Sequence, residues 1–114
     1  MSVISTHVLD TSLGKPAVGV PVSLAARQAD GSWKLLAQGT TDGDGRWRLS
    51  SVNESAVAPG TCKIIFDTAA YFRACNIEGF FPVVEITLSI HDAAQNHHVP
   101  LLLSPYAYST YRGS

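Results

Sequence analysis

Apolar and polar residues alternate along short stretches of this chain, each cut off by Gly, Pro, Asp or Asn at intervals of roughly ten to fifteen residues. A period of two puts successive side chains on opposite faces of an extended strand, so the pattern restricts the chain to an antiparallel sandwich or barrel. About eight strands are expected. In the first, from Val3 to Leu9, Ile4 and Val8 oppose Ser5 and His7. After a loop through Leu13, Gly14, Lys15 and Pro16, a second sets Val20, Val22, Leu24 and Ala26 against Pro21, Ser23, Ala25 and Arg27. Asp30-Gly31 predicts a tight hairpin into a returning strand from Trp33 to Thr40. The glycines of Thr41-Asp42-Gly43-Asp44-Gly45 permit positive φ, and Arg46 leaves that turn on the face shared with Arg48, opposite Trp47 and Leu49.

Ser50 to Gly60 is a polar loop, followed by a strand that sets Cys62, Ile64 and Phe66 against Thr61, Lys63 and Ile65. Asp67-Thr68 suits a helix start, and Ala69 to Cys75 supplies about two turns, ended by Asn76 and Gly79. Val84, Ile86, Leu88 and Ile90 then alternate with Glu85, Thr87, Ser89 and His91, and Asp92 to Asn96 form a turn. In the next strand His98, Pro100, Leu102 and Ser104 share one face, and His97, Val99, Leu101 and Leu103 the other. Pro105 interrupts the ladder before a last strand from Tyr106 to Arg112.

A chain of 114 residues is long enough to fold as a single domain, here residues 1–114, without staples. The formal charge of -1, with both signs scattered, excludes a basic face for nucleic acid and a polybasic segment for anionic lipid. No apolar run is long enough to span a bilayer, and the amino terminus has no secretory signal, which together predict a soluble, cytoplasmic protein. Cys62 and Cys75 lack metal-ligand spacing and are expected as reduced thiols. The low surface charge predicts that part of the surface is buried in an oligomer.

The carboxyl terminus stays apolar and aromatic to within a few residues of its end, so it is expected to be packed rather than frayed. His7, Arg46, His98 and Ser114 are far apart in sequence, yet each lies in or beside a strand and could meet on one sheet face. Taken singly, His7 and His98 are better explained as partly exposed strand residues, and Arg46 as a solvated charge. The histidines do not favour zinc, because His97 and His98 point to opposite faces. No Gly-x-Ser-x-Gly elbow, phosphate-cradling loop or close carboxylate pair occurs, so no single residue identifies a reaction.

Three segments together resemble the transthyretin-related 5-hydroxyisourate hydrolases. They are Ser5-Thr6-His7-Val8-Leu9-Asp10-Thr11 with Gly14-Lys15-Pro16-Ala17, then Thr41 to Arg46, then His98-Val99-Pro100-Leu101-Leu102-Leu103-Ser104-Pro105 through Tyr111-Arg112-Gly113-Ser114. The ending Tyr-Arg-Gly-Ser is the most specific part, since the hormone-carrying transthyretins share the fold but lack it and the His/Arg set. Where the family often has His-Tyr-His before Val-Pro, this chain has Asn96-His97-His98.

The resemblance implies an all-β sandwich of two four-stranded sheets with one short helix, assembled as a homotetramer with its sites at the dimer-dimer interface. It implies hydrolytic opening of 5-hydroxyisourate in urate degradation, without metal or organic cofactor. The family's functional residues fall on His7, Arg46, His98 and Ser114, with Tyr111 beside the substrate. The chemistry suits them: a neutral imidazole takes a proton from water, and a fixed guanidinium meets the developing oxyanion. On that basis His98 is the base and His7 orients water or substrate, although the two could exchange roles. Ser114 offers a hydroxyl and the terminal carboxylate. The competing expectations are a transthyretin-like carrier of a small aromatic ligand and a sandwich used only for protein contacts.

Overall fold

The computed structural model describes residues 4–49, 58–92 and 94–114. Two sheets face each other, as the alternation predicts. The first contains β1 (Ile4–Asp10), β2 (Lys15–Pro16), β5 (Arg46–Leu49), β8 (His97–Ser104) and β9 (Ala107–Thr110). The second runs in the order β4 (Trp33–Thr40), β3 (Pro21–Arg27), β6 (Gly60–Phe66), β7 (Val84–Ile90). The helix, α1 (Thr68–Ala74), is capped by Asp67, whose side chain accepts from the Ala70 N–H, and Asn76 leaves it at a φ of 58°.

The first sheet departs from the expected four strands. Lys15 and Pro16, expected in a loop, pair with Asp10 and Leu9 as β2, while β5 pairs with the other half of β1 from Ile4 to His7. The two short strands therefore share one edge of β1, β5 along its first half and β2 along its end. Pro16 fits there because a short edge strand tolerates a residue with no N–H to donate. The Asp30-Gly31 turn is also wider than a two-residue hairpin: β3 ends at Arg27 and β4 begins at Trp33, with Gly31 at a φ of 87° and the Asp30 carboxylate accepting from Ser32. The expected loop from Ser50 to Gly60 lies mostly outside the described residues, as does Val3.

Between the sheets lie Ile4, Val8, Leu24, Ile64, Phe66, Val84, Leu101 and Leu103, all essentially inaccessible. Each contributes on the order of 1.5–3 kcal/mol relative to an exposed position. Burial along β1 alternates strictly, so Ile4, Thr6, Val8 and Asp10 face inward while Ser5, His7 and Leu9 face out. The inward polar residues are satisfied: Thr6 Oγ1 donates to the Val99 carbonyl at 2.6 Å, and the Tyr71 hydroxyl donates to the Asp10 carboxylate at 2.7 Å.

At the centre of the first sheet, β1 and β8 run parallel with Ser5 beside His98 and His7 beside Pro100. On the other side of β1, Arg48 lies beside Ser5 and Arg46 beside His7. Paired residues share a face, so one outward surface carries His7, Arg46, Arg48, Ser5 and His98. The turn before β5 fixes where that strand starts. Its Asp42 carboxylate accepts from the backbone N–H groups of Asp44 and Arg46, and the Gly45 carbonyl accepts from the Val8 N–H.

Gly45 has a φ of 76°, and a Cβ there would lie 2.4 Å from the Val8 carbonyl oxygen. Gly45→Ala is expected to cost about 2 kcal/mol or more, because left-handed strain adds to a clash with backbone that cannot rotate away. Urea unfolding measures this, and a loss below about 0.5 kcal/mol, the range of a neutral surface change, would contradict the account of the turn.

Candidate active site

The outward face of β5, β1 and β8 forms the wall of a cleft of about 670 Å³, lined by Ser5, Asp42, Arg46, Arg48, His98 and Ser114 among others. Three of the residues expected from the sequence, Arg46, His98 and Ser114, meet there. His98 is held most firmly. Its Nδ1 lies 2.8 Å from Ser5 Oγ, and its backbone carbonyl accepts from the Gly113 N–H at 2.8 Å. Among the described residues its Nε2 has no hydrogen-bond partner.

The terminal segment reaches the cleft because β9 does not end the ladder. Leu101 pairs with Thr110 and His98 with Gly113, so one antiparallel register carries past Tyr111 and Arg112. The Thr110 hydroxyl donates to the Pro100 carbonyl at 2.6 Å, clamping the strand before the tail. Gly113 is required by space rather than by φ: a Cβ there would lie 2.5 Å from His98 Cδ2. The imidazole therefore packs on bare backbone, and Ser114 follows at the cleft wall.

His7 and Tyr111 sit differently. His7 shares the face of Arg46, but its Nε2 donates to the Asp44 carbonyl at 2.9 Å and the residue is not part of the cleft lining. Tyr111 is 58 % exposed and lies outside the lining. His97 points the other way, as its parity predicts: it is buried, and its Nδ1 has no partner among the described residues.

Electrostatics separate these groups. Burial, then the Arg46 guanidinium and His7, hold the His98 pKa below the usual histidine value, so the ring is neutral near pH 7. Burial, followed by Arg112, lowers that of His97 as well. The backbone N–H groups of Arg46 and Asp44 keep Asp42 below the usual carboxylate range, so it remains an anionic cap for the turn. A neutral imidazole fixed at Nδ1, beside a permanent cation, is an arrangement able to activate water against a polarised carbonyl.

Sequence reasoning passed over Ser5, Arg48, Asp42, Trp47 and Asn96 as members of the cleft. Ser5 carries a usable signal, since it shares the parity of His7, but its contact with His98 depends on the parallel register of two strands 93 residues apart.

A model of the HIUase/Transthyretin family matches residues 4–113. The chain belongs to that family. A 5-hydroxyisourate hydrolase from Salmonella dublin is 44% identical over 113 residues, spanning 99% of this chain and 82% of that protein. Among solved structures of the family, Klebsiella pneumoniae 5-hydroxyisourate hydrolase superposes with a TM-score of 0.84 at 34% identity, covering 98% of this chain and 99% of that one. Sea bream transthyretin in complex with thyroxine superposes with a TM-score of 0.88 at 29% identity, covering 96% and 93%. Family membership thus confirms the transthyretin-like fold, while the backbone alone matches both kinds of relative.

The two depressed histidines make stability depend on pH. Below about 6.5 the unfolded chain takes up protons that folded His97 and His98 resist, so stability present above that pH is lost as pH falls toward their folded values. The denaturation midpoint is expected to drop between pH 7 and 5, with both imidazoles titrating below 6.5 by NMR. Either ring titrating above 6.5 would contradict the burial argument.

Proposed function

We propose that this protein is a hydrolase that opens the ring of 5-hydroxyisourate to 2-oxo-4-hydroxy-4-carboxy-5-ureidoimidazoline, a step of urate breakdown. The observation that carries the reading is the neutral, Ser5-held His98 beside Arg46 in one cleft. The 44% identity to a 5-hydroxyisourate hydrolase along nearly the whole chain supports it independently. Because the thyroxine-complexed relative superposes at least as well in backbone, the choice between hydrolase and carrier rests on these side chains.

In this reading His98 Nδ1–H donates to Ser5 Oγ, which leaves the Nε2 lone pair for water. Nε2 takes a proton as the water oxygen adds to the ring carbonyl, and Arg46 meets the negative charge that develops on the carbonyl oxygen. The carbon–nitrogen bond then breaks, the nitrogen takes the proton from the imidazolium, and the new carboxylic acid releases its own proton to solvent. His7 Nε2 is already engaged by the Asp44 carbonyl, which favours a positioning role for His7 and the base role for His98. Ser114, in the lining of the same cleft, would offer its hydroxyl or carboxylate to substrate or water.

Assembly into a homotetramer, with the clefts at the dimer-dimer interface, belongs to the same proposal. Phe80, Tyr106 and Tyr111, at 67%, 71% and 58% exposure, support it, since a lone chain gains nothing from displaying them. An interface over Tyr111 brings it to the substrate. The free thiols of Cys62 and Cys75 favour a reducing, cytoplasmic setting.

Fresh 5-hydroxyisourate, generated from urate and followed by its ultraviolet decay, tests the reading. The protein is expected to accelerate decay and to run in solution at four times the 12.2 kDa chain mass. Deleting Ser114 is expected to lower turnover at least tenfold with the native mass unchanged, and the wild-type rate is expected to fall as pH drops through the His98 pKa. No acceleration by the wild type would leave the carrier. Full activity without Ser114 would remove the tail from the mechanism.

A further inference from the structure

The proposed chemistry uses one guanidinium, but the cleft contains two. Arg48 follows Arg46 by two residues on β5 and so projects from the same face, beside Ser5, while His98 flanks Ser5 from β8. With strands about 4.8 Å apart, this row Arg48–Ser5–His98 puts the Cα atoms of Arg48 and His98 roughly 10 Å from each other, a span that a small planar ligand fills. Arg48 lines the cleft. Among the described residues it has no ion-pair partner, since the single ion pair there joins Lys63 to Glu85. The acids of the cleft are otherwise placed: Asp42 is bound to backbone N–H groups of its own turn, and among the described residues the Ser114 carboxylate forms no ion pair with either arginine.

Hydrolysis of a ring amide changes the charge that such a cleft must hold. An uncharged carbonyl becomes a carboxylate, the ring nitrogen leaves as a ureido N–H, and one proton goes to solvent. Arg46 lies beside His7, next to the turn, and in the proposed chemistry is the group that meets the transient oxyanion. A second fork two residues further along the same strand matches the bidentate demand of a finished carboxylate.

We propose that Arg48 anchors the carboxylate produced by ring opening, which makes it a substrate-contacting residue that favours the late transition state and the product over the closed ring. The inference rests on the hydrolase reading of the same cleft. It predicts that the protein binds ring-opened ureido acids more tightly than the corresponding closed ureides.

The probes are hydantoin and its stable ring-opened form, hydantoate, titrated as inhibitors of 5-hydroxyisourate decay and directly by calorimetry. Wild type is expected to bind hydantoate at least fivefold more tightly than hydantoin. Arg48→Gln is expected to weaken hydantoate binding at least fivefold, leave hydantoin binding within twofold, and lower kcat more than it raises KM. Arg48→Lys is expected to recover part of the hydantoate affinity, and the unfolding midpoint of both variants is expected to match wild type. Hydantoate binding by Arg48→Gln equal to that of an active wild type would overturn the role of Arg48 while leaving the hydrolase reading intact. A wild type that fails to accelerate decay would overturn both.

Discussion

The parallel pairing of β1 with β8 is the contact on which the rest of the molecule depends. It joins the first described strand to the next-to-last one and sets Ser5 against His98 in register. Its inward side supplies Ile4, Val8, Leu101 and Leu103 to the core, and its outward side supplies the centre of the cleft. A slip of one residue would exchange those two sets, because strand parity alternates every residue. The same apolar burial that stabilises the sandwich therefore fixes which histidine faces the cleft, and His97 and His98 demonstrate it: one is locked in the interior and its neighbour is hydrogen-bonded at the surface.

Two flanking devices turn that register into a shaped site. On one side the Asp42 cap and Gly45 hold the turn against β1, so that β5 starts with Arg46 beside His7. On the other, the last ladder continues to Gly113, whose missing side chain lets the backbone lie under the His98 ring. Glycine is demanded for opposite reasons at the two places, a positive φ and a backbone approach at Gly45 and ring clearance alone at Gly113. Both flanks act on the same face without burying it, which is how a stable two-sheet protein keeps a row of charged and titratable groups accessible.

Most of this architecture was legible from alternation. The parity of Ile4 against His7, and of His97 against His98, was visible without coordinates because one face of each strand had to be apolar. The helix cap at Asp67 and its exit at Asn76 followed from local chemistry in the same way. What parity does not reveal is which strands become neighbours. Ser5 and Arg48 carried the right parity all along, yet only the pairing of β1 with β8 and β5 makes them partners of His98 and members of one cleft. Lys15 and Pro16 were obscured because a two-residue edge strand has no periodicity to detect. Tyr111 is exposed and lies outside the cleft lining, and strand parity assigns it no neighbour there.

The central claim is that Ser5 holds His98 in the tautomer that leaves Nε2 free to take a proton from water. Nitrogen-15 NMR of the His98 ring above its pKa measures this directly, with Ser5→Ala as the comparison. The account predicts a single tautomer in the wild type, protonated at Nδ1 and bare at Nε2, and a mixed population in Ser5→Ala together with a turnover loss of roughly tenfold or more, the scale of general-base catalysis. A proton residing on Nε2 in the wild type would contradict it, since the ring would then face the cleft as a donor and could not act as the base.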